Sequence, residues 1–138
     1  MKNIFEKIRE EHNEYQISFE NYTDSGYISD SKKTVFLNKS ITDNLTEDEI
    51  NFLVIFFIKQ DSYNDVFTNI LNSDISFCKY LTQKGIDIIY YINFLKKISR
   101  IVEVQKKVFI EKRIQDMISV ESIRKQIRKE KLFNILRK

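Results

Sequence analysis

The 138 residues are enough for one ordinary domain with a sizeable core, and 42% of them are hydrophobic. Cys78 is the only cysteine, which excludes an intrachain disulfide and any metal site built from several thiolates. The net charge of +3 hides a division along the chain, because residues 1–95 carry 9 Lys and Arg against 15 Asp and Glu, whereas residues 96–138 carry 14 against 5. An acidic body joined to a basic C-terminal segment predicts an anionic partner for that segment.

The first forty residues predict one short helix followed by three strands. Ile4, Phe5 and Ile8 recur at helical spacing, which predicts an amphipathic helix over about residues 2–13. From Tyr15 the apolar residues alternate instead, and two turn-forming stretches follow, so the predicted strands cover residues 15–20, 27–29 and 34–38. We expect these strands to form a small antiparallel meander.

The next segment is predicted to form the most buried helix. Thr46 and Glu49 are spaced so that each side chain can accept a hydrogen bond from a free backbone N–H group at a helix start. The apolar run Ile50–Ile58 follows, with Asn51 as its one polar residue. Such a run also suits a buried strand, but the cap and the length favour a helix.

Two further helices are expected before Gly85. Ser62 and Asp65 are candidates to start the first one, which would run through Asn72, and Asp74 is a candidate to start the second. Gly85 suits the left-handed position that commonly follows a helix, so it is predicted to end the second one.

Residues 86–138 contain neither glycine nor proline, so nothing in the sequence forces a helix to stop. Lys106 and Arg113 fall on the line along which the apolar residues of this segment recur. A helix face packed on the protein body could not easily bury two such charged side chains. The helix therefore breaks or bends near residues 103–107, or it leaves the body there. The predicted apolar stripe consists of Ile88, Ile92, Leu95, Ile98 and Val102.

Together these patterns predict one predominantly helical α+β domain over residues 1–138. Residues 1–40 would hold a helix and the small N-terminal antiparallel meander, and residues 41–85 the buried helices of a bundle. Residues 86–138 would form a long basic C-terminal helix or helix pair.

The basic C-terminal residues are the strongest functional signal. Arg124, Arg128 and Lys131 are spaced four and three residues apart, so they share one face of a helix that can meet nucleic-acid phosphates. Alternatively, the charges are only the solvated side of a helix, pair with the protein's own carboxylates, or dock on an acidic protein surface. The candidate surface for nucleic acid or an acidic partner comprises Lys97, Arg100, Lys106, Lys107, Arg113, Arg124, Lys125, Arg128, Lys129 and Lys131.

A second hypothesis uses the apolar residues of the same segment. Val120, Ile123 and Ile127 form a short stripe that, together with Phe133, Ile135 and Leu136, would pair with another protein or with a second copy of the chain. The more common use of such a stripe is packing on the protein's own core. A sustained coiled coil is not expected, because the heptad phase is broken at Lys106 and again near Ser119.

No motif in the sequence names a reaction. His12 is the only histidine and has no Ser or Cys at a spacing that implies pairing, while Cys78 is most simply a small buried apolar residue. Gly26 and Gly85 lie too far apart to form a glycine-rich phosphate loop. We therefore predict a protein that is not an enzyme, with no metal, no cofactor and no small-molecule substrate.

One resemblance is carried by Gly26-Tyr27-Ile28, by Thr34-Val35-Phe36-Leu37-Asn38 and by residues 45–53. Their order resembles the start of the ImmA/IrrE metallopeptidases of phages and mobile elements, in which the next helix carries a His-Glu-x-x-His zinc motif. The matching positions here read Phe56-Phe57-Ile58-Lys59-Gln60. The resemblance therefore implies a scaffold without the metal ligands and the general base.

These observations predict a non-catalytic binding protein, such as an inhibitor or regulator of host or defence complexes from a phage or mobile element. Its partner would be nucleic acid or a nucleoprotein complex, with a homo-oligomer as the alternative. The N-terminus lacks a signal-peptide pattern, and the longest apolar run, Phe52–Ile58, is far shorter than the roughly 20 residues of a membrane span. We therefore expect a cytoplasmic protein without membrane contact.

Overall fold

The computed structural model describes residues 3–21, 26–29, 31–63, 70–102 and 104–136. The chain divides into two units, Met1–Asp65 and Val66–Lys138, and each unit is described by itself. The described residues form seven helices and a three-stranded sheet, which confirms the predominantly helical α+β class. That the whole chain forms one domain stays a prediction.

The first unit contains the sheet and three helices. In chain order its elements are α1 (Ile4–Glu10), β1 (Gln16–Glu20), β2 (Gly26–Ser29), β3 (Thr34–Asn38), α2 (Lys39–Thr42) and α3 (Glu47–Tyr63). The described part of the second unit is entirely helical, with α4 (Ile70–Gln83), α5 (Ile88–Ile101), α6 (Val104–Ile118) and α7 (Glu121–Leu136).

The three predicted strands are present, but the predicted antiparallel meander is wrong. The strand order is β1-β3-β2, so β1 and β2 both pair with β3. β3 is parallel to β1, with Thr34 opposite Gln16, and antiparallel to β2, with Phe36 opposite Tyr27. The sheet is therefore mixed.

Burial explains why β3 occupies the centre of the sheet. Val35 and Leu37 of β3 are fully buried, whereas β1 leaves Gln16, Phe19 and Glu20 exposed. A meander would place the middle strand of the sequence, β2, at the centre. The central position goes instead to the strand that can bury side chains against the helices.

The start of α3 is capped as the sequence predicts. The backbone N–H group of Thr46 donates to Oε1 of Glu49 at 2.8 Å, and the backbone N–H group of Glu49 donates to Oγ1 of Thr46 at 3.2 Å. The ring of Phe5 in α1 meets the ring of Phe52 edge-on, with 6.1 Å between centroids. The helix is deeply buried through Phe52, Leu53, Val54, Ile55 and Ile58, but that it is the most buried one is not confirmed, because seven described side chains of the helix over Ile88–Ile101 are buried.

The predicted pair of helices before Gly85 is wrong. Ser62 lies inside α3, so it starts no new helix, and Asp65 lies outside the described residues. Residues 70–83 form one continuous helix, α4, with Asp74 in its interior. The carboxylate of Asp74 does not cap a helix, because it is bound by two side chains from other helices.

Gly85 ends α4 as predicted. Its φ of 81° lies in the left-handed region, which a residue without Cβ enters at no steric cost. The N–H group of Ile86 donates to the carbonyl of Leu81 at 2.9 Å, and that of Gly85 donates to the carbonyl of Thr82 at 3.1 Å. This pair of hydrogen bonds is the Schellman motif, and it directs the chain into α5.

The basic segment is divided among the end of α5, α6 and α7. The helix break predicted near residues 103–107 is confirmed, because α5 ends at Ile101, Val102 is extended and α6 begins at Val104. A single continuous helix is therefore wrong, and a basic pair, α6 and α7, follows α5. The apolar stripe of α5 is confirmed by the burial of Ile88, Ile92, Leu95 and Ile98.

Candidate nucleic-acid interface

A buried carboxylate fixes the rotation of α7 about its own axis. Glu130 is only 5% exposed, and it accepts hydrogen bonds from the backbone N–H groups of Ile88 at 2.9 Å and Ile89 at 3.1 Å. These are free N–H groups in the first turn of α5, where the helix dipole also favours a negative charge. The side-chain amide of Gln126 donates to the same carboxylate at 3.2 Å. Glu130 therefore serves as the cap of another helix.

The inward side of α7 determines which residues face solvent. Ile123 is buried on the same side as Glu130, and Gln126 and Ile127 are half-buried between them. At 3.6 residues per turn, the positions on the opposite side are exposed. We call them the α7 cationic face, which consists of Arg124, Lys125, Arg128, Lys129 and Lys131.

Within the described residues, one cation of the α7 cationic face forms an ion pair. Lys125 lies 3.4 Å from Glu121, and both side chains are exposed. Arg124, Arg128, Lys129 and Lys131 form no ion pair with any residue that the structure describes. Among the described residues, only Lys125 of this face is therefore paired with a carboxylate of the protein.

The remaining predicted cations lie on α5 and α6. Arg100 and Lys107 are exposed, and Lys97 and Lys106 are half-buried. Arg100 and Lys107 line a groove of about 270 Å³ between the two helices. We call it the α5–α6 groove, and its other lining residues are Lys96, Ser99, Glu111, Ile114 and Gln115.

Arg113, another predicted site residue, is bound inside the unit. Its Nε donates to Oδ2 of Asp74 and its Nη2 to Oδ1, both at 2.7 Å. The hydroxyl of Tyr91 also donates to Oδ1 of Asp74 at 2.7 Å. Asp74 is completely buried and the Arg113 side chain is only 15% exposed. This triad links α4, α5 and α6, and the structure does not bring Arg113 together with the α7 cationic face.

The surroundings of Tyr91 and Arg113 in this triad raise the pKa of both side chains. Burial raises the pKa of the Tyr91 hydroxyl well above its usual range, so that the hydroxyl stays a donor. Burial alone would lower the pKa of Arg113, but the hydrogen bond to Asp74 and the electrostatic interactions with Tyr91 and Asp74 together outweigh burial, so the pKa is raised. The guanidinium therefore stays charged, and the bidentate geometry explains why an arginine can lie in the phase of an apolar stripe.

The structure places the predicted interface stripe mostly inside the unit. Ile123 is buried, and Val120 and Ile127 are half-buried. Exposed apolar side chains lie instead at the end of α7, where Leu132, Ile135 and Leu136 are 56%, 68% and 74% exposed. We call these three residues the α7 apolar end.

Sequence reasoning missed three groups that position the site: Asp74, Tyr91 and Glu130. Each is a polar residue at a helical position whose neighbours in the same phase are apolar and buried. A polar residue at such a position is the sequence signal that could have identified these groups. For Arg113 the same signal was visible, but the sequence did not show that its partner lies 39 residues away.

No protein-family model, curated protein or solved structure matches this chain. The resemblance to the ImmA/IrrE metallopeptidases therefore stays a prediction. Among the described residues, no three His, Cys, Asp or Glu side chains are grouped to hold a metal ion. No helix in the described ranges is long and apolar enough to cross a membrane.

Replacing Arg113 tests the buried ion pair. Arg113→Gln should lower the free energy of unfolding by about 3–5 kcal/mol, because Asp74 would stay buried without its charge partner. Lys112→Gln is the matched control, since Lys112 pairs with Asp116 on the same helix but is 74% exposed. It should cost at most about 0.5 kcal/mol. Urea unfolding of both variants measures the difference, and equal losses would contradict a special role for the buried pair.

Cys78 should be unreactive in the native protein. The residue is buried, and burial, followed by the charges of Asp74 and Glu130, raises the pKa of its thiol from 9.0 to about 12. At pH 8 the native thiol is therefore ionised about a thousandfold less than the unfolded one. Reaction with Ellman's reagent should be slow in buffer and complete within the mixing time in denaturant. Equal rates in the two conditions would show that the thiol is open to solvent.

Proposed function

We propose that this protein is a non-catalytic nucleic-acid-binding protein whose principal contact surface is the α7 cationic face. The observation that carries the proposal is the exposure of Arg124, Arg128, Lys129 and Lys131 without an ion pair to any described residue. Long cationic side chains that are not neutralised within the protein can exchange condensed counterions on DNA or RNA for direct phosphate contacts.

The geometry of α7 matches a phosphate backbone in scale. A rise of 1.5 Å per residue places Arg124 and Lys131 about 10 Å apart along the helix axis. Over that length, duplex DNA presents about six negative charges. Contacts of this kind supply affinity and orientation but no sequence specificity. The proposal therefore predicts binding that depends strongly on salt and weakly on sequence.

A regulatory role follows from the same features. A small chain with a cationic face and no catalytic motif suits an inhibitor or regulator of a nucleic-acid-handling complex, such as those encoded by phages and mobile elements. This role also predicts a cytoplasmic location, where such complexes are accessible. An acidic protein surface is the competing partner. Measuring whether the purified protein binds DNA or RNA across a range of salt concentrations separates these two partners.

Removing charge from the α7 cationic face should weaken nucleic-acid binding. The triple variant Arg124→Gln, Arg128→Gln, Lys131→Gln should bind a fluorescent oligonucleotide more weakly at every salt concentration. The slope of log affinity against log salt should also fall, by about 0.9 on duplex DNA and about 0.7 on single strands for each phosphate that is no longer neutralised. Fluorescence anisotropy between 50 and 200 mM salt measures both quantities for DNA and RNA.

The matched control removes three charges elsewhere. Lys32, Lys39 and Lys79 are all exposed and belong to the turn before β3, to α2 and to α4. The variant Lys32→Gln, Lys39→Gln, Lys79→Gln has the same net charge as the α7 triple variant, and it should bind like the original protein. Equal weakening in both variants would show a diffuse charge effect, and failure of the original protein to bind DNA or RNA at low salt would overturn the proposal.

The α7 apolar end favours a second candidate function, self-association. Leu132, Ile135 and Leu136 expose apolar surface on the last turns of a helix, a surface that a second copy of the chain could cover. Deleting residues 119–138 would be a poor test, because it would also remove the buried Ile123 and Glu130. Substitution of the exposed residues alone leaves the packing of α7 in place.

Light scattering over a concentration series tests this second candidate. Self-association predicts an average mass that rises with concentration and that returns to the monomer value in Leu132→Ser, Ile135→Ser. The control is Val104→Ser, Val108→Ser, because these two residues of α6 are also exposed and apolar. It should associate like the original protein. A mass that stays monomeric in the original protein at every concentration would contradict the candidate.

A further inference from the structure

We infer that the α5–α6 groove is a phosphate-binding site. The groove has a volume of about 270 Å³, which is below the usual range for small-molecule pockets but ample for one phosphate group. Three cations line it: Lys96 and Arg100 from α5, and Lys107 from α6. Glu111 is the single carboxylate in the lining. The net charge of the lining therefore favours an anion.

Pairing with described residues does not explain the three cations. Lys96, Arg100 and Lys107 are exposed, and none of them forms an ion pair with a residue in the described ranges. Lys96 and Arg100 are four residues apart on one helix, a spacing at which like charges are slightly destabilising. The packing of α5 on α6 brings Lys107 to the same groove. A bound anion would relieve the repulsion among all three.

The other lining residues complete a small polar pocket. The exposed amide of Gln115 offers a neutral N–H donor, and the buried side chain of Ile114 forms an apolar floor. The Ser99 hydroxyl donates to the carbonyl of Lys96 at 2.7 Å, so it is committed to the helix. The anion would be held by the three cations and Gln115. A phosphate group offers three or more acceptor oxygens to these donors, whereas a carboxylate offers two.

Two sources can supply such a group, namely the backbone of a nucleic acid and a small phosphorylated molecule. The first rests on the proposed function, because the groove would then hold one backbone phosphate while the α7 cationic face contacts others. The second is independent of it. The shared chemistry is a phosphate ester or free phosphate held by lysine and arginine side chains.

The first experiment titrates the ¹⁵N-labelled protein with inorganic phosphate at constant ionic strength and follows amide shifts by NMR. We expect saturable shifts concentrated at residues 96–100, 107, 111 and 115, with binding at least tenfold weaker in Arg100→Gln. Lys79→Gln is the control for loss of one exposed charge on the same unit, and it should bind phosphate normally. Shifts that do not saturate, that persist unchanged in Arg100→Gln, or that acetate reproduces at equal concentration would overturn the inference.

The second experiment identifies the source and separates this inference from the proposed function. If Arg100→Gln also weakens oligonucleotide binding, the groove holds a backbone phosphate. If phosphate binds in the groove and the oligonucleotide does not bind the original protein, the site stands with a small phosphorylated ligand and the proposed function fails. If the α7 triple variant weakens oligonucleotide binding while phosphate leaves the groove amides unmoved, the inference fails and the proposed function stands.

Discussion

The contact between Glu130 and the first turn of α5 is the interaction on which the candidate surface depends. The cationic residues of α7 are distributed so that they all face solvent only when the side bearing Ile123 and Glu130 faces inward. Glu130 accepts hydrogen bonds from two backbone N–H groups of another helix. Because hydrogen bonds are directional, this contact specifies the rotation of α7 more strictly than an apolar stripe does. The same contact supplies the cap that the start of α5 otherwise lacks, since Asp87 makes no side-chain cap hydrogen bond.

The C-terminal unit buries two carboxylates, so its described surface is more basic than its composition implies. Asp74 and Glu130 are both buried, and Arg113 is the one cation withdrawn with them among the described residues. Two negative charges are therefore removed from the surface against one positive charge. The fold stabilises the interior with backbone N–H groups and a guanidinium, and the other described arginines of this unit are exposed.

Local signals predicted much of this structure, and interactions between distant residues account for what they missed. The capping pair of Thr46 and Glu49 and the left-handed Gly85 are encoded within a few residues, so the sequence predicts them. The helix break after Ile101 was predicted from the phase of the apolar stripe and only to within several residues. The sheet order depends on which strand buries most surface, and that is decided by the helices packed on it. Asp74 has the chemistry of a helix cap, but it lies inside α4 because Tyr91 and Arg113 satisfy it from other helices. For the candidate surface, the helical spacing of the basic residues placed them on one face of α7, and the structure shows that they are exposed. The spacing could not show that Arg113 is bound to the buried Asp74.

The two candidate uses of α7 occupy different parts of the helix and respond differently to salt. Cations at 124–131 precede the apolar end at 132–136, so pairing through the end would leave the cationic face uncovered. Salt screens phosphate contacts, whereas burial of apolar surface is not weakened by screening. A pair of chains would present two cationic faces to one nucleic acid, and the second contact would then form at a high effective concentration. Self-association and nucleic-acid binding would in that case be coupled, with the oligomer binding more tightly than the monomer at the same salt concentration.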